Sequence, residues 1–373
     1  MPPVMGAVAF LMAEIVGVTY LQVLVAAIIP ALLYYGAVYF AVDSQAIKRQ
    51  LKGDKKENLP PVFKTLISGI QYLFPLIWLV VRLFMGLSPS RAALESILCM
   101  LIIALITRNP KYPISLKCIM DALVSSINSL APVALACASA GLVIGVITLT
   151  GIGGKFTSLV MALGQGSHFL ALFLTMIVTI ILGMGMSISP TYLLAASLCA
   201  PGLINVGLSP MAAHLFIVYY SAMATMTPPV ALAAYTAAGI AEADPMKVGF
   251  EAVKIGIVAF IIPYVFVFRP ELILEGDNYL HIALSVIFTT IGIVALTTGV
   301  NNWLFRENKR WEQFALLLSS VMLFIPYYPV NIAGAVVLLY IAIEQLRSLK
   351  KSSIQSLDET NSANPQNYSV AEN

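Results

Sequence analysis

Gly183-Met184-Gly185-Met186-Ser187-Ile188-Ser189-Pro190 lies within 86 consecutive residues, Phe156 to Ala241, that hold no Asp, Glu, Lys or Arg. A second interruption, Met226-Thr227-Pro228-Pro229, falls in the same run. About 20 apolar residues cross a bilayer as a helix, so this run is too long for one or two spans. It is also too broken to be plain lipid-facing helix. Non-helical backbone at membrane depth persists only where protein buries it or a polar cavity solvates it. Paired broken segments of this kind are the pattern of a secondary-transporter binding site. Taken singly, Gly183 and Gly185 read equally well as close-packing positions and Pro228-Pro229 as a kink. Together, each with a Ser/Thr-Pro helix start, they favour a site.

Composition agrees with a membrane setting. Of 373 residues, 59% are hydrophobic and 10% charged, whereas soluble domains are about a quarter charged. The net charge of +3 is spread over connecting loops. It makes no case for nucleic acid as a partner, and the basic loops read as cytoplasmic topology signals. Cys99, Cys118, Cys137 and Cys199 stand singly in apolar runs, as small buried side chains rather than metal or redox groups. Met1-Pro2-Pro3-Val4 lacks the basic region of a signal peptide. An intramembrane hydrolase would need an acid pair, a Ser–His pair or an HExxH helix. None occurs, so no enzyme activity and no cofactor are expected.

Along the chain, residues 1–42 hold a short helix and the uncharged span Leu21–Val42, and residues 43–64 form a lysine-rich cytoplasmic loop. Residues 65–150 supply connecting scaffold helices near Thr65–Phe84, Ala92–Thr107 and Ile119–Thr150. Residues 151–268 contain the uncharged zone and the span Val248–Phe268. Residues 269–351 add Tyr279–Trp303 and a segment, Phe314–Ile343, interrupted by Pro326-Tyr327-Tyr328-Pro329. That segment is either a hairpin or one kinked span, and basic residues at both ends favour the hairpin. Residues 352–373 are rich in Ser, Asn, Gln and Asp and read as a disordered tail.

An internal repeat links the two ends of this plan. Met1-Pro2-Pro3-Val4 leads through a small-residue helix to Glu14 and then to Ile28-Ile29-Pro30-Ala31. Thr227-Pro228-Pro229-Val230 leads likewise to Glu242 and then to Ile261-Ile262-Pro263-Tyr264. One copy ends in a basic loop and the other in an acidic one (Glu271, Glu275, Asp277), as an inverted-topology repeat should. A Gly-rich hairpin precedes the second Pro-Pro helix but not the first. The first repeat is therefore expected to be incomplete and the chain truncated.

At the breaks, Ser189 with Pro190 and Thr227 with Pro228 are each expected to start a helix as N-cap and first residue. Free N–H groups and positive dipole ends there suit an anion such as a carboxylate. Unpaired carbonyls and the hydroxyls of Ser187, Ser189, Thr191, Thr225 and Thr227 form a neutral oxygen set. Such a set fits sodium and not calcium, which recruits carboxylates. The expected binding residues are Gly183, Gly185, Met186, Ser187, Ser189, Thr191, Thr225, Thr227 and Pro228, joined by Pro2 and Pro3. Sodium is expected at Gly183, Gly185, Ser189, Thr225 and Thr227. His168 and His214 have no acidic partner in the stretch and read as packed or interfacial, and Glu14 and Glu242 as helix ends.

Several stretches here carry a resemblance: Gly183-Met184-Gly185-Met186 through Tyr192, Ala200-Pro201, Ala212-Ala213-His214, Thr227-Pro228-Pro229-Val230-Ala231 and Ala243-Asp244-Pro245-Met246. They resemble the large membrane (permease) subunit of tripartite ATP-independent periplasmic (TRAP) transporters, most of all the fused-permease branch that pairs with TAXI-type binding proteins. The resemblance runs from Met1 to about Gln345. It implies an all-α polytopic protein of the bacterial inner membrane, with an inverted-repeat elevator-type transporter fold, a re-entrant hairpin and discontinuous helices. It implies sodium-driven import of an organic anion delivered by an extracytoplasmic solute-binding protein. Gly183 to Tyr192 would be the tip of the second hairpin, Thr225 to Pro229 the facing broken helix, and Met1-Pro2-Pro3 its first-repeat counterpart. The family usually carries proline at the position of Ser187, and here the proline is Pro190. On this resemblance the small subunit and first hairpin would precede Met1. The chain is then expected to be a C-terminal part, inactive until joined by the missing N-terminal half. A non-transporting pseudo-permease or membrane scaffold is the alternative.

Overall fold

The computed structural model describes residues 5–51, 53, 59–107, 115–155, 158, 167–276 and 278–362. Every named element among them is a helix, which in lipid is what lets one segment pair its own backbone groups. Among the described residues five helices are long and apolar enough to cross a membrane: Tyr20–Lys48, Pro89–Ile106, Pro245–Phe268, Tyr279–Asn301 and Tyr328–Lys350. The protein is thus all-α and polytopic. It divides into two compact units.

The first unit comprises Met1–Leu32, Lys52–Val253 and Ala259–Asn278. Helix α1 (Ala7–Val16) ends at Gly17, whose φ of 75° lets its N–H bond back to Ala13. Two residues on, Thr19 starts α2 (Tyr20–Lys48). Its hydroxyl accepts the Gln22 N–H at 3.3 Å while Gln22 Oε1 accepts the Thr19 N–H at 2.9 Å, a reciprocal cap. The segment read as one helix from Thr65 is two, α3 (Val62–Ser68) and α4 (Ile70–Phe84), parted at Gly69. α4 packs on α5 (Pro89–Thr107), where Arg82 grips Glu95 through Nε at 2.5 Å and Nη2 at 3.0 Å. The long α6 (Leu116–Thr150) follows, begun by a Ser115 cap on the Cys118 N–H.

The core of this unit is built from α7 (His168–Gly183), α8 (Ile188–Asn205) and α9 (Pro210–Met223). α8 packs on α6, α7, α9 and α1, and Tyr192, Leu203, Leu215, Phe216 and Ile217 are fully enclosed. α10 (Leu232–Ala241) matches α1 feature by feature. Each has ten residues, and each stops at a left-handed residue, Gly17 or Glu242 at φ 51°. Each is followed two residues later by a capping side chain, Thr19 or Asp244, which takes the Lys247 N–H at 2.9 Å. Each then leads into helix carrying an internal proline. That is Pro30 in α2 and Pro263 in α12 (Ile257–Phe268), which continues α11 (Pro245–Ile255) past Gly256.

The second unit comprises Leu33–Leu51, Lys254–Val258 and Tyr279–Asn373. Its main helices, α13 (Tyr279–Asn301), α14 (Arg310–Phe324) and α15 (Tyr328–Ser362), pack on one another. The break between α14 and α15 makes the Phe314–Ile343 segment a hairpin rather than one span. Asn331 Nδ2 caps the end of α14 by donating to Met322 O at 2.9 Å and Ile325 O at 2.8 Å. Small residues bring the axes close: a Cβ on Gly292 would lie 2.7 Å from the Phe324 ring. α15 runs on to Ser362, into the segment read as a disordered tail. No Gly or Pro falls between Ser352 and Ser362, and a nucleated helix extends cheaply. The remainder of that segment lies outside the described residues.

Arg306 is structural. The Glu312 carboxylate is fully buried and accepts from Arg306 Nη2 at 2.7 Å, from the Lys309 N–H at 2.8 Å and from Gln345 Nε2 at 3.0 Å. Removing Glu312 leaves Arg306 with only Ser348 Oγ and Glu307 O, and takes a buried acceptor from the Lys309 N–H and Gln345. Glu312→Ala should therefore cost about 3–5 kcal/mol, read as a lower unfolding temperature of the detergent-solubilised protein. An unchanged transition would show that water already satisfies Arg306.

Candidate functional site

α7 has 16 residues, about 24 Å at 1.5 Å per residue, short of a hydrocarbon core about 30 Å thick. It stops at Gly183. The chain turns through Met184, extended at ψ 113°, and Gly185, at φ 80°, a value glycine reaches without penalty. It then returns as α8, packed against α7. α9 and α10, of 14 and 10 residues, are shorter still and are separated by a non-helical stretch from Ala224 to Ala231 containing a cis Pro228-Pro229 bond. The helices therefore break at both places where the sequence is punctuated.

The two breaks meet. A Cβ on Gly183 would collide with Ala224 Cβ and lie 2.8 Å from Thr191 Cγ2. A Cβ on Gly185 would lie 3.6 Å from Val230 Cγ1. Of the residues expected at the site, Gly183 and Gly185 thus lie against Ala224 and Val230, which flank the Thr225–Pro229 stretch, and Thr191 packs on Gly183. Ser189 is buried on the first turn of α8, whereas Ser187 is exposed. Pro228 sets its ring 3.0 Å from where a Gly249 Cβ would stand. Pro2 and Pro3 lie outside the described residues.

Both expected N-caps are displaced. Ser187, not Ser189, precedes α8, and Pro190 is its third residue. Proline costs nothing there because first-turn N–H groups have no partner within the helix. Thr227 does not start α10 at all. Its hydroxyl donates back to Met223 O at 2.7 Å, at the end of α9, and Ala231 precedes α10 without a side-chain cap. Leu232 N–H instead reaches Val230 O, and Ala233 N–H reaches Thr225 O at 2.9 Å.

This leaves the two helix starts chemically unequal. Among the described residues the N–H groups of Ile188 and Ser189 keep no acceptor, while at α10 those of Leu232 and Ala233 are engaged by the break and only that of Ala234 is left open. The anion-ready terminus is that of α8. Oxygens are plentiful at both breaks. Thr191, Thr225 and Thr227 donate their hydroxyl protons to the carbonyls of Ser187, Ala222 and Met223, at 2.9, 2.7 and 2.7 Å. Their lone pairs stay open to a cation. Among the described residues the carbonyls of Met184, Gly185, Met186, Met226 and Thr227 accept no hydrogen bond.

Around this centre, the Tyr192 hydroxyl and His214 Nδ1 meet at 2.8 Å, both buried, joining α8 to α9. His214 is thus satisfied by a neighbour, in line with its reading as a packed residue. Tyr220 donates to Phe260 O at 2.6 Å and fastens α12 beside α9. Glu242 is exposed at the end of α10. The sequence reading passed over Thr179, one turn before Gly183 on α7, buried with its hydroxyl unpartnered. A lone Thr in an apolar run carries no mark that separates it from packing.

Residues 1–276 match the family described as the tripartite ATP-independent periplasmic transporter, DctM component. No curated protein matches the chain. The family and the apolar helices together make it a multi-pass membrane protein, of the inner membrane in bacteria. The match ends before Tyr279, so α13 to α15 lie beyond it.

The Gly183 contact has a direct consequence. Gly183→Val must push Ala224 and Thr191 apart, and overpacking of this kind costs about 1–3 kcal/mol. Gly239→Val, on α10 with no neighbour within 4 Å, is the control. Thermal unfolding of the two variants should separate them, and equal stabilities would show that the breaks do not press together.

Proposed function

We propose, for a chain that belongs to the DctM component family of tripartite ATP-independent periplasmic transporters, a sodium-coupled permease that imports an organic anion of carboxylate type. The observation that carries this reading is the meeting of the two helix breaks at Gly183 and Ala224. It puts an uncapped helix start and a set of uncommitted oxygens in one place. Permeases of this family work with an extracytoplasmic solute-binding protein and a small membrane component. We take the binding protein here to be of the TAXI type and to deliver the anion.

The Ile188 and Ser189 N–H groups at the start of α8 receive the substrate carboxylate. The open carbonyls at the breaks, with the Ser189, Thr225 and Thr227 oxygens, hold sodium. Opposite charges a few ångströms apart in a medium drier than water attract by several kcal/mol, so each ligand raises the affinity for the other. That coupling is necessarily reciprocal. The loaded site is also closer to neutral than either ligand alone, which lowers the penalty of carrying charge through an apolar phase. The parallel between α1 and α10 fits two copies of one unit inserted in opposite senses, the arrangement on which alternating access is built. In this reading the body formed by α1 and α7 to α12 moves as the elevator.

Thr227→Ala removes an oxygen without uncapping a helix, because Thr227 caps nothing downstream. Losing one hydroxyl from a neutral shell around a cation should cost about 1.5–3 kcal/mol. The sodium concentration for half-maximal uptake should then rise about tenfold or more. Ser189→Ala should act likewise, and Glu242→Gln should leave the sodium dependence as it was. The measurement is solute uptake into proteoliposomes, with the binding protein and the small membrane component supplied, against a series of sodium gradients. If Glu242→Gln abolishes coupling while both hydroxyl deletions are silent, a carboxylate-based, proton-coupled mechanism replaces this one.

A further inference from the structure

Far along the chain from both breaks, the α1–α2 corner and the α4–α5 turn line an open cavity of about 770 Å³. We propose that it is a binding site for a membrane phospholipid whose headgroup carries a primary amine, as phosphatidylethanolamine does. Its position is the first reason. Tyr20 opens one candidate span and Pro89 another, and the cavity is lined by the residues on either side of both starts: Val18, Thr19, Tyr20 and Leu21, and Leu87, Ser88, Pro89 and Ser90. Span ends lie at the level of lipid headgroups.

Its lining is the second reason. One wall is apolar, made by the stacked rings of Phe10 and Tyr20, 4.2 Å apart, with Leu21, Leu83 and Leu87. The volume falls within the range of about 300–1,000 Å³ usual for small-molecule sites, enough for part of an acyl chain and a headgroup. The other lining is polar and unequal in charge. Glu14 is the one ionisable carboxylate among the lining residues, with no Lys or Arg beside it there. The same cavity is lined by Ser88, Ser90 and the first turn of α5, whose N–H groups favour a phosphate oxygen. A carboxylate and a helix start lining one cavity are the complement of a zwitterion that carries ammonium and phosphate. An anionic glycerol headgroup would place a second negative charge with nothing positive to meet Glu14. A choline headgroup has the charge but no N–H for the carboxylate to accept.

The test uses the full chain in nanodiscs of equal parts phosphatidylethanolamine, phosphatidylcholine and phosphatidylglycerol, with retained lipids counted by native mass spectrometry after detergent transfer. The ethanolamine lipid should be retained in preference to the other two. Glu14→Gln should reduce that preference about threefold, the contribution of a partly solvated ion pair, without emptying the site. Ala93→Phe, which puts a ring into the cavity from α5, should release the lipid. Glu242→Gln, another exposed glutamate at a helix end, should change nothing, and melting curves confirm that each variant is folded. Equal retention of the glycerol lipid by the unaltered protein, a preference that survives Glu14→Gln, or lipid still held by folded Ala93→Phe would each overturn the assignment.

Discussion

The missing Cβ of Gly183 is the condition on which the centre of this protein rests. Any side chain there would occupy the place of Ala224 Cβ and press on Thr191. With glycine, the end of α7 lies against the end of α9, and two segments some forty positions apart become one locus. The same contact holds Thr225 where its carbonyl can accept the Ala233 N–H, so the start of α10 depends on it as well. Tyr192 and His214 then secure α8 against α9 from the buried side.

Broken helices in an apolar surrounding raise the question of where the freed backbone groups go. At the second break the N–H groups of Thr225 and Met226 turn back to carbonyls of α9, those of Leu232 and Ala233 reach Val230 and Thr225, and the threonine hydroxyls donate to carbonyls of the preceding turns. Carbonyl and hydroxyl oxygens are left over at both breaks, alongside open N–H groups at the start of α8 and at Thr227, Val230 and Ala231. In the function proposed above, that surface holds a hard monovalent cation beside a small anionic group. No ionised side chain has to be buried to make it, which avoids the desolvation cost a charged residue would incur.

The C-terminal unit solves a different problem with different means. α13, α14 and α15 are brought together by Gly292, Gly299 and Gly334, each with neighbours where a Cβ would stand. They are tied at one end by the Arg306–Glu312–Gln345 cluster. Lys48 reaches Glu307 at 3.2 Å and Gln45 reaches Asn301, which attaches the far half of α2 to the same unit. Charged residues that look like a topology signal in sequence thus also work as structural ties.

Some features were legible in the sequence because they depend on near neighbours along the chain. Spans follow from runs of apolar residues, and the breaks from Gly and Pro that no nearby residue can compensate. The parallel between α1 and α10 follows from repeated order. Helix starts were legible only in part. A Ser-Pro or Thr-Pro pair marks where a helix can begin, but Pro190 is tolerated anywhere in a first turn, and Thr227 found its partner behind it at Met223 rather than ahead. Tertiary structure alone decided which break faces which, that Gly183 meets Ala224, and that Thr179 is buried beside them. It also decided that Phe314–Ile343 folds as a hairpin and that Glu312 gathers Arg306 and Gln345. These are contacts between distant parts of the chain. Local pattern constrains the conformation of a segment but not its neighbour, because only packing in three dimensions determines which surfaces lose their solvent together.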